Sequence, residues 1–144
     1  MTDWTIRLGT RDDLRSVLDL WREAESLPTV TDDFDSLAAL LDADPGSLLV
    51  AESSGVLVGS LIAAWNGWRG SFYRLAVRPG QRRRGLATAL LREGEGRLRR
   101  RGALRIDAIV ADAEAEAMSF WPAVGYERQA GRARFVRNFD SSAS

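Results

Sequence analysis

Residues 75–87 read Leu75-Ala76-Val77-Arg78-Pro79-Gly80-Gln81-Arg82-Arg83-Arg84-Gly85-Leu86-Ala87, and this stretch decides the fold. A strand ends, Pro79 and Gly80 turn the chain, several donors follow, and a helix starts at Gly85 without an ordinary side-chain cap. Such a helix end carries unpaired N–H groups and roughly half a positive charge, so an anion placed there satisfies both. Gly85 gives anionic oxygens close approach to the backbone, and Ala87 keeps the next inward position small. The arginines at 82, 83 and 84 add charge without being the main device. The plainer reading is a solvated arginine loop with a turn glycine; the strand before it and the capless helix after it favour the anion cradle.

Working outward, residues 72–77 are the third member of an antiparallel meander whose first two strands, 48–51 and 56–64, are joined through Ser53-Ser54-Gly55. Asn66-Gly67 and Arg69-Gly70 mark the next turn. Upstream, residues 4–8 alternate as a short first strand, and Thr10 with Asp13 forms a capping-box pattern. Leu14, Val17, Leu18, Trp21 and Ala24 then share one helical face. Thr31 or Asp32 caps a second helix with Phe34, Leu37, Ala38 and Leu41 inward, stopped by Asp44-Pro45-Gly46. Downstream, the helix from Gly85 buries Leu86, Leu90, Leu91 and Leu98 and ends near Gly102. A strand over 104–110, a short helix over 114–121 and two closing strands, 125–128 and 134–139, complete the order. The strand–loop–helix–strand crossover is expected to be parallel and right-handed.

With 144 residues, 45% of them hydrophobic and 28% charged, the chain suits one soluble globular domain over 1–139, with 140–144 a disordered tail. No apolar run reaches the roughly 18 residues a membrane span needs and no signal-peptide pattern is evident, so no membrane partner is expected and the cytoplasm is the default location. Cysteine and histidine are both absent. Thiolate nucleophiles, histidine bases and zinc sites built on either side chain are therefore excluded, and no metal is expected. Before Ser60 there are four arginines against twelve acids, and after it sixteen against eight. The second half suits an anionic ligand and the first a cationic one, although solvation of two helices explains the acids equally well. Every basic residue is arginine, which favours bidentate phosphate contacts but also follows from a GC-rich coding bias. A nucleic-acid reading of the arginines, including Arg97, Arg99, Arg100 and Arg101, lacks interleaved aromatics or a motif; a solvated outer helix face accounts for them, and no nucleic-acid partner is expected.

Arg82, Gly85 and Ala87 match a pattern of Arg or Gln, two residues, Gly, one residue, Gly or Ala, and Phe120-Trp121 is followed by Gly125-Tyr126. These motifs and the order of elements along nearly the whole chain resemble the GNAT superfamily of acyl-CoA-dependent N-acetyltransferases. The resemblance implies an α+β fold with a mixed, mostly antiparallel twisted sheet of about seven strands flanked by about four helices. It implies acetyl-CoA as cofactor, with its pantetheine arm along Leu75, Ala76 and Val77, where that strand splays from 104–110. The pyrophosphate would lie over Arg82, Arg83, Arg84, Gly85, Leu86, Ala87 and Thr88. An amine of a small molecule or peptide, cationic if the acidic half attracts it, would attack the thioester directly. A backbone amide near Val77 would steady the oxyanion. Family habit adds a homodimer.

A lysine-like amine, with an ordinary pKa near 10.4, costs about 4–5 kcal/mol to deprotonate at pH 7, so a base or a desolvated proton exit helps. At two positions where members of the family keep a glutamate, this sequence has Tyr73 and Ile109. Trp121 stands where the family's proton-donating tyrosine aligns, and Glu114 replaces an asparagine. Tyr73 and Tyr126 are the phenols left as catalytic candidates, although an ordinary core or rim aromatic is the favoured reading of each, while Trp121 suits a packing wall beside the cofactor. These departures keep open an alternative, a non-catalytic acyl-CoA-binding regulatory module.

Overall fold

The computed structural model describes residues 3–24, 29–82, 84–110 and 114–139. The chain divides into two units, Met1–Ile109 and Val110–Ser144.

The first unit holds one five-stranded sheet in sequential order: β1 (Thr5–Leu8), β2 (Leu48–Ser53), β3 (Val56–Trp65), β4 (Gly70–Val77) and β5 (Ile106–Ala108). β1 to β4 pair antiparallel, and β5 lies parallel to β4. Ser53 faces Val56, so Ser54 and Gly55 alone close the β2–β3 hairpin. Helices α1 (Leu14–Glu23) and α2 (Phe34–Ala43) follow β1, and α3 (Leu86–Arg101) links β4 to β5. The start of α1 is tied by Asp13, whose carboxylate accepts from the Thr10 N–H at 2.8 Å and from Arg7 at 2.8 and 2.9 Å. The Arg7 guanidinium is the main reason the Asp13 pKa falls to about 2.

Sheet alternation sends side chains to two opposite cores. Leu48, Val50, Leu57, Ile62 and Ala76 pack with Leu14, Val17, Leu20 and Trp21 of α1 and Leu37 and Ala38 of α2. Leu20 belongs to this buried set, whereas Leu18 is only partly buried, because the face of α1 is turned slightly from the one the sequence pattern suggests. Leu86, Leu90, Leu91 and Leu98 of α3 are all buried as expected, each contributing about 1.5–3 kcal/mol of apolar burial. Gly94 sets the distance between α3 and the sheet: a Cβ there would come within 2.8 Å of Phe72 and 2.9 Å of Leu61.

The expectation of a solvated Arg97 fails on the same face. Arg97 lies one turn from Gly94 and is 8% exposed. Its guanidinium donates to the Ala63 carbonyl at 2.6 Å and the Pro45 carbonyl at 3.2 Å, and it pairs with Asp44. Asp44, which ends α2, also accepts from the Trp65 N–H at 3.1 Å. A buried arginine is tolerated here because carbonyls and a carboxylate converge on it.

The second unit contains α4 (Ala115–Ala123), with Glu114 at its N-cap position. The fold class is as expected, but among the described residues the strands number five rather than about seven. Neither 125–128 nor 134–139 is a strand, and Phe135, Val136 and Phe139 are 93%, 65% and 79% exposed. Alternating apolar residues make a strand only where a neighbouring strand takes up their N–H and C=O groups, and among the described residues neither segment is paired with a strand. β5 is also shorter than expected, since its ladder with β4 has three pairs and stops at Phe72 and Ala108. The tail 140–144 lies outside the described residues.

Candidate functional site

Three local features meet between β4 and α3. The first is the end of the β4–β5 ladder: beyond Phe72, β4 has no β5 partner among the described residues. β4 stays paired with β3 on its other edge, with Ala76 opposite Ser60 and Val77 opposite Gly59. The Arg78 N–H donates to the Val58 carbonyl on β3 at 2.8 Å. Strand alternation therefore turns the N–H and C=O of Val77 toward the opposite, unpaired edge. The Val77 carbonyl there accepts from the Arg82 Nε at 3.3 Å. A strand edge of this kind can pair with an extended amide-bearing ligand.

The second feature is the start of α3. Gly85 occupies the N-cap position at φ +84°, and among the described residues no side chain caps the helix. An ideal Cβ on Gly85 would meet none of the described residues within 4 Å. Glycine is favoured there by its left-handed backbone, and the space above it is open, which suits an anion seated on the first-turn N–H groups of Leu86, Ala87 and Thr88. The Leu86 side chain itself is buried, so only its backbone can serve such a ligand, whereas Ala87 and Thr88 are half-buried. In the preceding turn, Gln81 has its buried Oε1 without a hydrogen-bond partner among the described residues. The open cradle and the capless helix start fit a diphosphate, because both present N–H donors at Gly85, whereas the Gln81 Oε1 is an acceptor and would take a donor instead.

The arginines divide. Arg82 folds back, donating to Val77 and, at 3.3 Å, to the Ala24 carbonyl, so it braces the loop as well as charging it. Arg84 is exposed and pairs with Asp3 at 3.3 Å. Arg83 lies outside the described residues. Arg78, which the sequence did not single out, donates to the Leu57 carbonyl at 2.9 and 3.2 Å and pairs with Glu23.

The third feature is a bulge in β4. Ser60 faces Ala76 and Ile62 faces Tyr73, so Leu61 alone opposes both Arg74 and Leu75. Arg74 sits at φ +53°, a left-handed conformation that costs a non-glycine residue about 1–2 kcal/mol. Trp21 Nε1 donates to Ser60 Oγ at 2.8 Å, and that hydroxyl donates to the Arg74 carbonyl at 3.4 Å. The Arg74 guanidinium lies 5.4 Å from the Trp21 ring centroid. Its Nε donates to Asp32 Oδ1 at 3.2 Å, and a second nitrogen pairs with the other oxygen. Neither Asp32 nor Thr31 caps α2; that role falls to Asp33, whose carboxylate accepts from the Ser36 N–H at 2.7 Å. One signal could have exposed the bulge: an arginine inside Phe72-Tyr73-Arg74-Leu75-Ala76 breaks the period-two pattern.

Of the phenols, Tyr73 is 45% exposed on β4. Tyr126 lies in the second unit, where Trp121 meets it edge-on at 5.1 Å and Phe120 meets Trp121 at 5.4 Å. The Tyr126 N–H donates to the Trp121 carbonyl at 3.0 Å, so the aromatic motif after α4 forms one local cluster. Two open clefts of about 360 and 470 Å³ in the first unit lie away from Gly85, one beside Thr10 and Leu41 and the other beside Trp68 and Arg105.

Known proteins resemble this chain. A model of the acetyltransferase (GNAT) family matches residues 14–126. An acetyltransferase of Sodalis glossinidius is 35% identical over 86% of this chain and 87% of its own length. Among solved structures, Ard1 from Thermoplasma volcanium superposes with a TM-score of 0.80 at 22% identity, covering 90% of this chain and 86% of that one. The PaiA N-acetyltransferase of Thermoplasma acidophilum, solved with coenzyme A, gives 0.78 at 16% identity over 89% and 92%. The structural likenesses establish the fold, and the family model and the sequence relative go further: the chain belongs to the acetyltransferase (GNAT) family.

Proposed function

We propose that the chain moves an acetyl group from acetyl-CoA to a primary amine of a small molecule or peptide by direct attack. The observation that carries this reading is the capless, left-handed Gly85 start of α3 with open space above it, directly after a β4 end released from β5. The N–H groups of Leu86, Ala87 and Thr88, with charge from Arg82, Arg83 and Arg84, would hold the diphosphate across Gly85. Leu75, Ala76 and Val77 would pair their open edge with the pantetheine amides. Bound acetyl-CoA supplies an activated thioester carbonyl. The outward Val77 N–H is suited to donate to that carbonyl oxygen as negative charge develops on it.

The amine must reach the carbonyl neutral, and no histidine is available to take its proton. Tyr73 and Tyr126 are proposed to serve proton movement near the thioester and the departing thiolate, and Trp121 to wall the cofactor. In this reading residues 1–139 act as one domain. The acid-rich first half draws a cationic acceptor, nucleic acid and membrane are not partners, and the protein works in the cytoplasm as a homodimer. Among the described residues no helix is long and apolar enough to cross a membrane.

Free-thiol release from acetyl-CoA, measured across polyamines, aminoglycosides and peptides, tests the proposal. Turnover with one class of amine supports it. Tight acetyl-CoA binding without turnover on any amine would instead favour a binding-only module, a reading that Trp121 in the tyrosine's place motivates. Tyr73→Phe and Tyr126→Phe, assayed on the amine so found, separate the two phenols.

A further inference from the structure

We propose that Asp32 and Arg74 form a positioning clamp that holds the β4 bulge in the shape the acetyl-CoA arm requires; this rests on the cofactor reading above. Arg74 is held in its left-handed backbone from two sides. The Ser60 hydroxyl, itself fixed by Trp21 Nε1, bonds its carbonyl. Asp32 grips its guanidinium through two nitrogens while Trp21 lies beneath it. The clamped side chains are largely shielded, at 17% and 12% exposure, so the pair is less screened than a surface ion pair. Asp32 is in turn set by the Thr29 N–H at 2.7 Å, one residue before the cap of α2.

The bulge lies between the last β4–β5 pair at Phe72 and the open edge at residues 75–77. An extra residue on one strand bends it and re-aims the residues beyond the bend. Without the clamp, residue 74 gains by returning to extended backbone, which shifts the register of Leu75, Ala76 and Val77 against β3 and turns the Val77 N–H away from the open edge. Arg74 and Asp32 thus act through Val77 and are positioning residues. The clamp also ties the segment entering α2 to the strand assigned to the cofactor.

Glycine distinguishes a conformational role from contact with the ligand. Arg74→Ala removes the clamp and leaves a strained residue, and is expected to raise the calorimetric Kd for acetyl-CoA about tenfold. Arg74→Gly also removes the clamp but occupies the left-handed region freely, and should bind within about threefold of the unmodified protein. Asp32→Ala, which leaves residue 74 untouched, should match Arg74→Ala. Amide hydrogen exchange supplies a readout without ligand: at Ala76 and Arg78, whose N–H groups face β3, it should accelerate about tenfold in Arg74→Ala and Asp32→Ala but not in Arg74→Gly. Equal affinity and exchange in all variants would overturn the clamp. So would an Arg74→Gly protein as weak as Arg74→Ala, which would make the guanidinium itself a ligand contact. Failure of the unmodified protein to bind acetyl-CoA would remove the cofactor reading, while the exchange data would still decide the clamp.

Discussion

Replacing Gly85 with valine separates ligand binding from folding, because its two costs fall on different partners. A β-branched residue at φ +84° is strained by about 1–2 kcal/mol, and that is the whole expected stability loss, since a Cβ meets no atom of the described residues within 4 Å. The fold tolerates such a loss within the usual margin of about 5–15 kcal/mol. In the complex, the isopropyl group would stand where the diphosphate approaches Leu86, Ala87 and Thr88. Each charge-assisted hydrogen bond is worth about 1.5–3 kcal/mol, so losing one weakens coenzyme A binding by roughly 10-fold to 150-fold. Calorimetric titration with coenzyme A, beside a thermal melt of each protein, measures both quantities. A folded Gly85→Val protein that binds within twofold of the unmodified one would refute the cradle. A much larger loss of stability would refute the claim that the space above Gly85 is open.

Other residues carry predictions about the scaffold. Arg97→Met should destabilise by about 1–3 kcal/mol in a denaturant melt, because the Ala63 and Pro45 carbonyls lose their donor and Asp44 keeps only Arg101, at 3.9 Å, as a cation. Gly94→Val should cost about 1–3 kcal/mol through overpacking against Phe72 and Leu61, read as a lower Tm. Asp13 has its pKa lowered to about 2, chiefly by Arg7, so between that value and the ordinary carboxylate pKa the unfolded chain binds the extra proton. Its stabilisation is therefore complete above about pH 4 and lost as pH falls toward 2. Because Arg7 is partly exposed, the contribution is about 1 kcal/mol. Asp13→Asn should flatten the stability profile over that window in acid titrations monitored by circular dichroism.

The residues that announce the fold are those whose local chemistry is self-contained. The capless glycine before Leu86, the four inward leucines of α3, the Ser54-Gly55 hairpin and the Asp44 stop can each be read from a few neighbours. The features that escape such reading depend on partners distant in sequence. Arg97 reads as surface charge in a run of arginines, and only the carbonyls of Pro45 and Ala63 make it a core residue. The closing strands rest on alternation alone, which carries no information about whether a neighbouring strand is present. Asp32 resembles a helix cap because its chemistry suits one; the adjacent Asp33 does that work while Asp32 reaches 42 positions along the chain to Arg74. The capless start of α3, proposed as the cofactor cradle, is legible because a helix N-terminus advertises itself locally. The acid–base chemistry is not, since proton transfer depends on which groups surround the amine rather than on a short pattern.

A crystal structure of the protein with coenzyme A bound would decide whether the start of α3 is the diphosphate site. Diphosphate oxygens are expected within about 3 Å of the N–H groups of Leu86, Ala87 or Thr88, lying over the bare Cα of Gly85, with a pantetheine amide paired to Val77. Coenzyme A seated elsewhere, with the start of α3 facing only water, would contradict that assignment.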